Sequence, residues 1–156
     1  MSVVAGPATP PDPRLRRLHG RNHVTKRLLV LGSTGSIGRQ TLDLVREDRA
    51  SGGAGGLEVV GLAAHSSWKD ALQQTEEFKP RFVSLADEAA AAEFRKRAPA
   101  GVTVFSGPEA TLELIDAAGT FDVAIHGIVG AAGLRPSLAV LERGRTLALA
   151  NKESLV

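Results

Sequence analysis

The chain has 156 residues, 43% hydrophobic and 23% charged, which is the balance of a globular domain with one sizeable core. It has no cysteine, which excludes disulfides and cysteine-based metal sites and leads us to expect a cytoplasmic protein. No apolar stretch reaches the ~20 residues that cross a bilayer, and the N-terminus lacks a signal-like apolar segment, so no membrane role is expected. The isoelectric point near 9.4 is misleading as a sign of nucleic-acid binding. Residues 1–27 carry a net charge of +5, which leaves −3 for the rest of a chain whose total is +2. A weakly acidic body with a basic tail predicts no nucleic-acid partner.

Residues 1–25 hold Pro7, Pro10, Pro11 and Pro13 among scattered arginines and read as a disordered tail, with the folded domain at 26–156. A short transit peptide, or a start upstream of the natural one, are other readings of that tail. From Leu28 onward strands and helices alternate. The unalternating apolar run at 28–31 predicts a strand buried on both faces, and Ile37, Leu42, Leu44 and Val45 recur at helical spacing after it. Ser51 and the glycines at 52, 53, 55 and 56 make a loop, followed by a second strand over Leu57–Ala64.

A helix is predicted over Trp68–Phe78, burying Trp68, Leu72 and Phe78 and stopped by Pro80. A third strand is predicted at 81–85, and then a helix capped by Asp87 that runs to about Arg97. A fourth strand follows at 102–105. Gly107 and Pro108 open a helix through Leu112, Leu114 and Ile115 that ends at Gly119. A fifth strand lies at 121–125. The last helix starts at the small residues 130–133, carries Leu134, Leu138, Val140 and Leu141 as its apolar members, and closes at Gly144 before a sixth strand at 146–150. Six strands with five helices between them predict an α/β fold: a Rossmann-like, doubly wound, mainly parallel sheet with helices on both faces.

The turn Gly32-Ser33-Thr34-Gly35-Ser36-Ile37-Gly38 joins the first strand to the first helix. Such a turn aims free backbone N–H groups and the positive end of a helix at one point, where a phosphate can sit. Three glycines on a three-residue stride suit a tight turn, close approach of a ligand, and close helix–strand packing. The other reading is a tight turn that binds nothing.

A Rossmann unit selective for NAD places a carboxylate at the end of its second strand to hold the ribose 2′-hydroxyl. Here that strand is followed by His65, Ser66, Ser67, Trp68 and Lys69, with no carboxylate before Asp70. Hydroxyls, a histidine and a nearby lysine accept a 2′-phosphate that a carboxylate would repel, so NADPH is predicted over NADH. Ser67 is also placed to cap the helix that follows. His126 ends the fifth strand without a second ligand nearby and reads as a structural or solvent-facing residue, not a metal ligand or base.

Residues 31–38, 128–134 (Ile-Val-Gly-Ala-Ala-Gly-Leu) and 149–156 (Leu-Ala-Asn-Lys-Glu-Ser-Leu-Val) resemble the N-terminal NADPH-binding domain of the 1-deoxy-D-xylulose 5-phosphate reductoisomerase family. The last stretch is the most specific of the three. The resemblance spans about residues 26–156. It implies isomerisation and reduction of 1-deoxy-D-xylulose 5-phosphate to 2-C-methyl-D-erythritol 4-phosphate in non-mevalonate isoprenoid synthesis. It also implies NADPH, a divalent ion (Mg²⁺ or Mn²⁺), and a homodimer.

By that resemblance Thr34, Gly35, Ser36 and Ile37 contact the pyrophosphate and ribose. Asn151 and Glu153 contact the cofactor near its nicotinamide, and Lys152 contacts the substrate. His65, Ser66 and Ser67 stand where the family often has a Gly-Lys-Asn-like triplet, with Lys69 as a partial substitute. The family's metal carboxylates, most of its substrate-phosphate contacts and its lid lie beyond the Asn-Lys-Glu motif. The chain stops at Val156, three residues after that motif, and reads as a piece whose metal ligands lie beyond Val156. It is therefore expected to hold no catalytic residue, to bind no metal, and to have no reductoisomerase activity alone. The alternative is a stand-alone NADP-binding or redox-sensing module. Another NADP-dependent dehydrogenase is disfavoured, because the chain has no tyrosine for a Tyr-x-x-x-Lys pair.

Overall fold

A computed structural model describes residues 24–53 and 56–150. Most of the predicted tail lies outside the described residues. So does the whole segment from Asn151 to Val156, which carries the expected roles of Asn151, Lys152 and Glu153 and the boundary set at Val156 for the domain and for the metal ligands. In chain order the elements are β1 (Lys26–Leu31), α1 (Ser36–Ala50), β2 (Leu57–Ala64), α2 (Trp68–Phe78), β3 (Phe82–Leu85) and α3 (Glu88–Arg95). They continue with β4 (Thr103–Ser106), α4 (Ala110–Ala118), β5 (Val123–His126), a 3₁₀ turn (Ala131–Gly133), α5 (Leu134–Glu142) and β6 (Thr146–Leu149). All strand pairs are parallel, in the order β4-β3-β2-β1-β5-β6. This is the predicted α/β, doubly wound sheet, and it is parallel throughout.

The run at 28–31 is buried on both faces because its side chains alternate between two cores. Leu28 and Val30 point to one layer with Leu42, Val45, Phe78 and Phe94. Leu29 and Leu31 point to the other with Leu114, Ile115, Phe121 and Val140. The first layer is covered by α1, α2 and α3, and the second by α4 and α5. A register shift between Leu28 and Leu29 sets Gly61 opposite Leu29. A side chain at Gly61 would meet the Leu29 side chain at 2.7 Å, so the glycine lets the two strands pack.

Several boundaries move by one or two residues. Phe121 lies before β5, fully buried beneath the second layer, and the strand itself starts at Val123. In α2 the fully buried residues are Ala71, Thr75 and Phe78, while Trp68 and Leu72 are half-buried against the core. The last helix differs more. Of its predicted apolar members only Val140 is buried, together with Pro136 and Ser137, whereas Leu134, Leu138 and Leu141 are 43–50% exposed. These leucines lie one or two turns apart on the outer side, so the apolar residues of α5 divide between two faces.

Candidate nucleotide cleft

Strand register brings the chemistry to one edge. Leu31, the last residue of β1, pairs with Ala63 on one side and with His126 on the other. The chain runs outward from β1 through β2 to β4 and returns to β5, so strand order reverses between β1 and β5. Beyond the carboxyl ends of parallel strands, such a reversal opens a crevice where ligands bind.

The glycine turn sits at the mouth of that crevice. Gly32 has φ +84°, and a Cβ there would lie 2.8 Å from the backbone of Gly127, so the β1 turn passes directly against the chain leaving β5. Gly38 is buried, and a Cβ on it would lie 2.3 Å from the Gly32 carbonyl oxygen. Two glycines therefore serve the turn's own packing. Gly35 differs: it is exposed and has room on its open side, which is the position suited to close approach of a ligand.

The N–H groups of Gly32 and Ser33 both reach the Ala63 carbonyl at 2.8 Å, and that of Gly35 reaches Gly32 at 3.2 Å. The amides of Ser36, Ile37 and Gly38 occupy the first turn of α1, where a helix has no internal acceptor for them. Gly35 caps that helix without a side chain, and the first turn holds no acidic residue. The positive helix end is left for an outside anion. Two side chains brace the turn from behind: Gln74 of α2 donates to the Ser33 carbonyl at 2.9 Å, and the Arg39 Nε–H donates to the Thr34 carbonyl at 2.8 Å.

His65, Ser66 and Ser67 follow β2 on the same rim, all exposed. Ser67 is the residue before α2, but its hydroxyl makes no capping bond, contrary to the capping expected of it. Its backbone carbonyl instead accepts from Ala71. Asp87 does cap its helix, accepting from the Ala90 N–H at 2.7 Å. Just inside α2, Lys69 lies with its ammonium 5.6 Å from the Trp68 ring, and the Arg97 guanidinium lies 4.9 Å from the same ring.

A cavity of about 470 Å³ lies beside the turn, with Gly32 and Thr34 at one wall and Ala64 and His65 at another. Pro108, Leu112 and Ile128 supply apolar lining. Two charged residues that no local motif singles out, Glu109 and Arg135, also line it. They form a two-pronged pair at 2.6 and 2.8 Å that ties the start of α4 to α5. The Arg135 guanidinium holds the Glu109 carboxyl below the usual carboxylate range.

His126 is fully buried. Its Nε2 lies 2.9 Å from the Gly133 carbonyl oxygen, which also accepts from the Ser137 hydroxyl at 2.8 Å. A carbonyl only accepts, so the histidine donates from Nε2. Burial lowers its pKa. The residue is a neutral pin for the 3₁₀ turn, the structural alternative of the two expected. Among the described residues no group of three His, Asp or Glu side chains could hold a metal ion.

The structure thus brings Thr34, Gly35, Ser36 and Ile37 to one rim with His65, Ser66 and Ser67. An open parallel sheet with a glycine turn and helix end at its reversal point defines a Rossmann-type nucleotide domain. Sequence comparison is more specific: residues 28–156 match the family model described as 1-deoxy-D-xylulose 5-phosphate reductoisomerase. The chain belongs to that family.

A relative carrying that name from Mycobacterium avium (strain 104) is 47% identical over 133 residues, 83% of this chain and 29% of its own length. One from Desulfitobacterium hafniense (strain Y51) is 43% identical over 132 residues, 84% of this chain and 33% of its own. Among solved structures, the Zymomonas mobilis reductoisomerase in complex with NADPH superposes with a TM-score of 0.73 at 32% identity. It is matched over 84% of this chain and 33% of its own. A reductoisomerase complex with NADPH, fosmidomycin and magnesium gives a TM-score of 0.74 at 31% identity, covering 83% of this chain and 31% of that one. The chain spans about a third of the length of the curated relatives it matches.

Proposed function

We propose that this chain binds NADPH and forms the cofactor-binding part of a reductoisomerase. The reaction is the conversion of 1-deoxy-D-xylulose 5-phosphate to 2-C-methyl-D-erythritol 4-phosphate in isoprenoid synthesis. The observation that carries the reading is the exposed Gly35 and the first-turn amides of Ser36, Ile37 and Gly38, directly after Thr34, which lines the cavity shared with His65. That cradle fits a pyrophosphate in both shape and charge. NADPH supplies the hydride for the reduction when bound. In this reading Thr34, Gly35, Ser36 and Ile37 hold its pyrophosphate, and His65, Ser66 and Ser67 face its adenosine ribose. Asn151 and Glu153 hold the nicotinamide end, and Lys152 meets the substrate.

Mg²⁺ or Mn²⁺ belongs to the family reaction, but the described residues do not gather the donors it needs. In this reading those carboxylates belong to sequence beyond Val156, and the isolated chain binds cofactor without turnover. A homodimer in the cytoplasm is part of the same proposal. No helix among the described residues is long and apolar enough to cross a membrane. Titration of the full chain with NADPH and NADH, followed by calorimetry, tests the core of the reading. NADPH is expected to bind at least about tenfold tighter, and equal or reversed affinities would overturn it. Turnover of the sugar phosphate by residues 1–156 with NADPH and Mn²⁺ would overturn the claim about the isolated chain.

A further inference from the structure

The rim that faces the cofactor's adenosine ribose carries hydroxyls and an imidazole but no committed cation. Lys69, the cation nearest in sequence, lies against the Trp68 ring. The first carboxylate after β2, Asp70, stands one turn from Ser67 and would repel a 2′-phosphate if left alone. It is not alone. The Arg39 Nη2 lies 2.9 Å from the Asp70 carboxylate, while the Arg39 Nε–H is fixed on the Thr34 carbonyl at 2.8 Å.

Arg39 leaves α1 one residue after the last glycine of the turn, yet its guanidinium spans the gap to the start of α2. It therefore lies between Thr34, at the phosphate cradle, and the helix that follows Ser66 and Ser67. A guanidinium has five N–H donors, and the two contacts occupy only part of them. The remaining donors lie on a planar group whose position is set from both ends and whose side chain is 55% exposed. This is the geometry that recognises a phosphate.

We propose that Arg39 is the residue that selects the 2′-phosphate of NADPH, with Asp70 and the Thr34 carbonyl positioning its guanidinium before the cofactor arrives. The inference rests on the proposed function and names the specificity determinant of that same cleft. It assigns Asp70 a positioning role, in contrast to the ribose-holding carboxylate of NAD-selective domains. The paired Asp70 carboxylate is occupied by Arg39 and does not face the ligand as a free anion.

The test isolates the phosphate. Affinities of the full chain for 2′,5′-ADP and for 5′-AMP, which differ only in the 2′-phosphate, are measured by calorimetry for the wild type, Arg39→Gln, Arg39→Lys and Lys69→Gln. The wild type is expected to prefer 2′,5′-ADP. Arg39→Gln is expected to cut that preference about tenfold or more, with a small loss of 5′-AMP affinity from the unbraced Thr34 turn and a much larger loss of 2′,5′-ADP affinity. Arg39→Lys should restore part of it, because the charge returns without the fork. Lys69→Gln should reduce the preference less than Arg39→Gln does.

An unchanged ratio of 2′,5′-ADP to 5′-AMP affinity in Arg39→Gln, in a variant whose circular dichroism matches the wild type, would overturn the inference and leave the proposed function standing. So would a larger loss in Lys69→Gln. A wild type that binds neither 2′,5′-ADP nor NADPH would overturn both.

Discussion

The two flanks of the sheet are finished differently. On the β2–β4 flank, α1, α2 and α3 press their apolar residues into one layer, and Phe78, Ala91 and Phe94 are at most 3% exposed. On the β5–β6 flank, α5 buries Val140 but turns Leu134, Leu138 and Leu141 outward, and Val129 is 73% exposed. The edge strand β6 is at best half-buried along its length. The flank beside the glycine turn is a closed core that fixes the turn's geometry. The other flank presents an apolar surface on the outer side of α5. A closed core at one wall and an open surface at the other leave the glycine turn fixed independently of the far end of the cleft.

The largest expected effect lies in the closed core. Phe94→Ala removes a fully buried ring and should cost about 3–5 kcal/mol by chemical denaturation; a loss under about 1 kcal/mol would mean that this flank is looser than described. Gly38→Ala comes next. Its methyl would press on the backbone of Gly32 and Ser33, and about 1–3 kcal/mol of stability should go, together with most NADPH affinity. A variant that binds NADPH normally would show that the cradle tolerates movement.

On the open flank, the neutral buried His126 makes stability depend on acid. Its folded pKa lies below the unfolded value near 6.5, so the unfolded chain binds the proton more readily. The histidine's contribution is fully present above pH 6.5 and is lost as the pH falls below it, with a slope of at most about 1.4 kcal/mol per pH unit for one proton. Denaturation curves at pH 7.5 and 5.5 should show this extra loss in the wild type, and it should shrink in His126→Gln. Asp87→Ala removes a cap from α3 and should cost about 1 kcal/mol in thermal unfolding. Smallest is Leu138→Ser on the outer face of α5, expected within about 0.5 kcal/mol of the wild type. A loss as large as that of Phe94→Ala would show that both flanks are equally packed in solution.

The first flank is legible in the sequence because its signals agree with one another. The doubly buried run at 28–31, the glycine stride after it and the Asp87 cap each specify a local geometry, and tertiary packing keeps all three. The last helix is harder to read because apolar residues at helical spacing do not say which of two faces meets the core. Pro136 and Ser137 take buried positions that a hydrophobicity count leaves to leucines. At the cleft, residues 34–37 and 65–67 stand out through local motifs. Arg39, Glu109 and Arg135 do not, because their carboxylate or guanidinium partners lie 26 or more residues away and only the fold brings them together. The signal available for Arg39 is its place one residue after the third glycine, near the start of the helix that follows the glycine turn.

Trp68 gives the molecule an optical property of its own. It is the single tryptophan in the chain, fixed at the start of α2 directly after Ser67, with two cationic groups near its ring. All indole emission therefore reports from one edge of the cleft, without background from a second site. A reduced nicotinamide absorbs where indole emits, so the proposed binding of NADPH can be read as energy transfer from a donor at a single, known position.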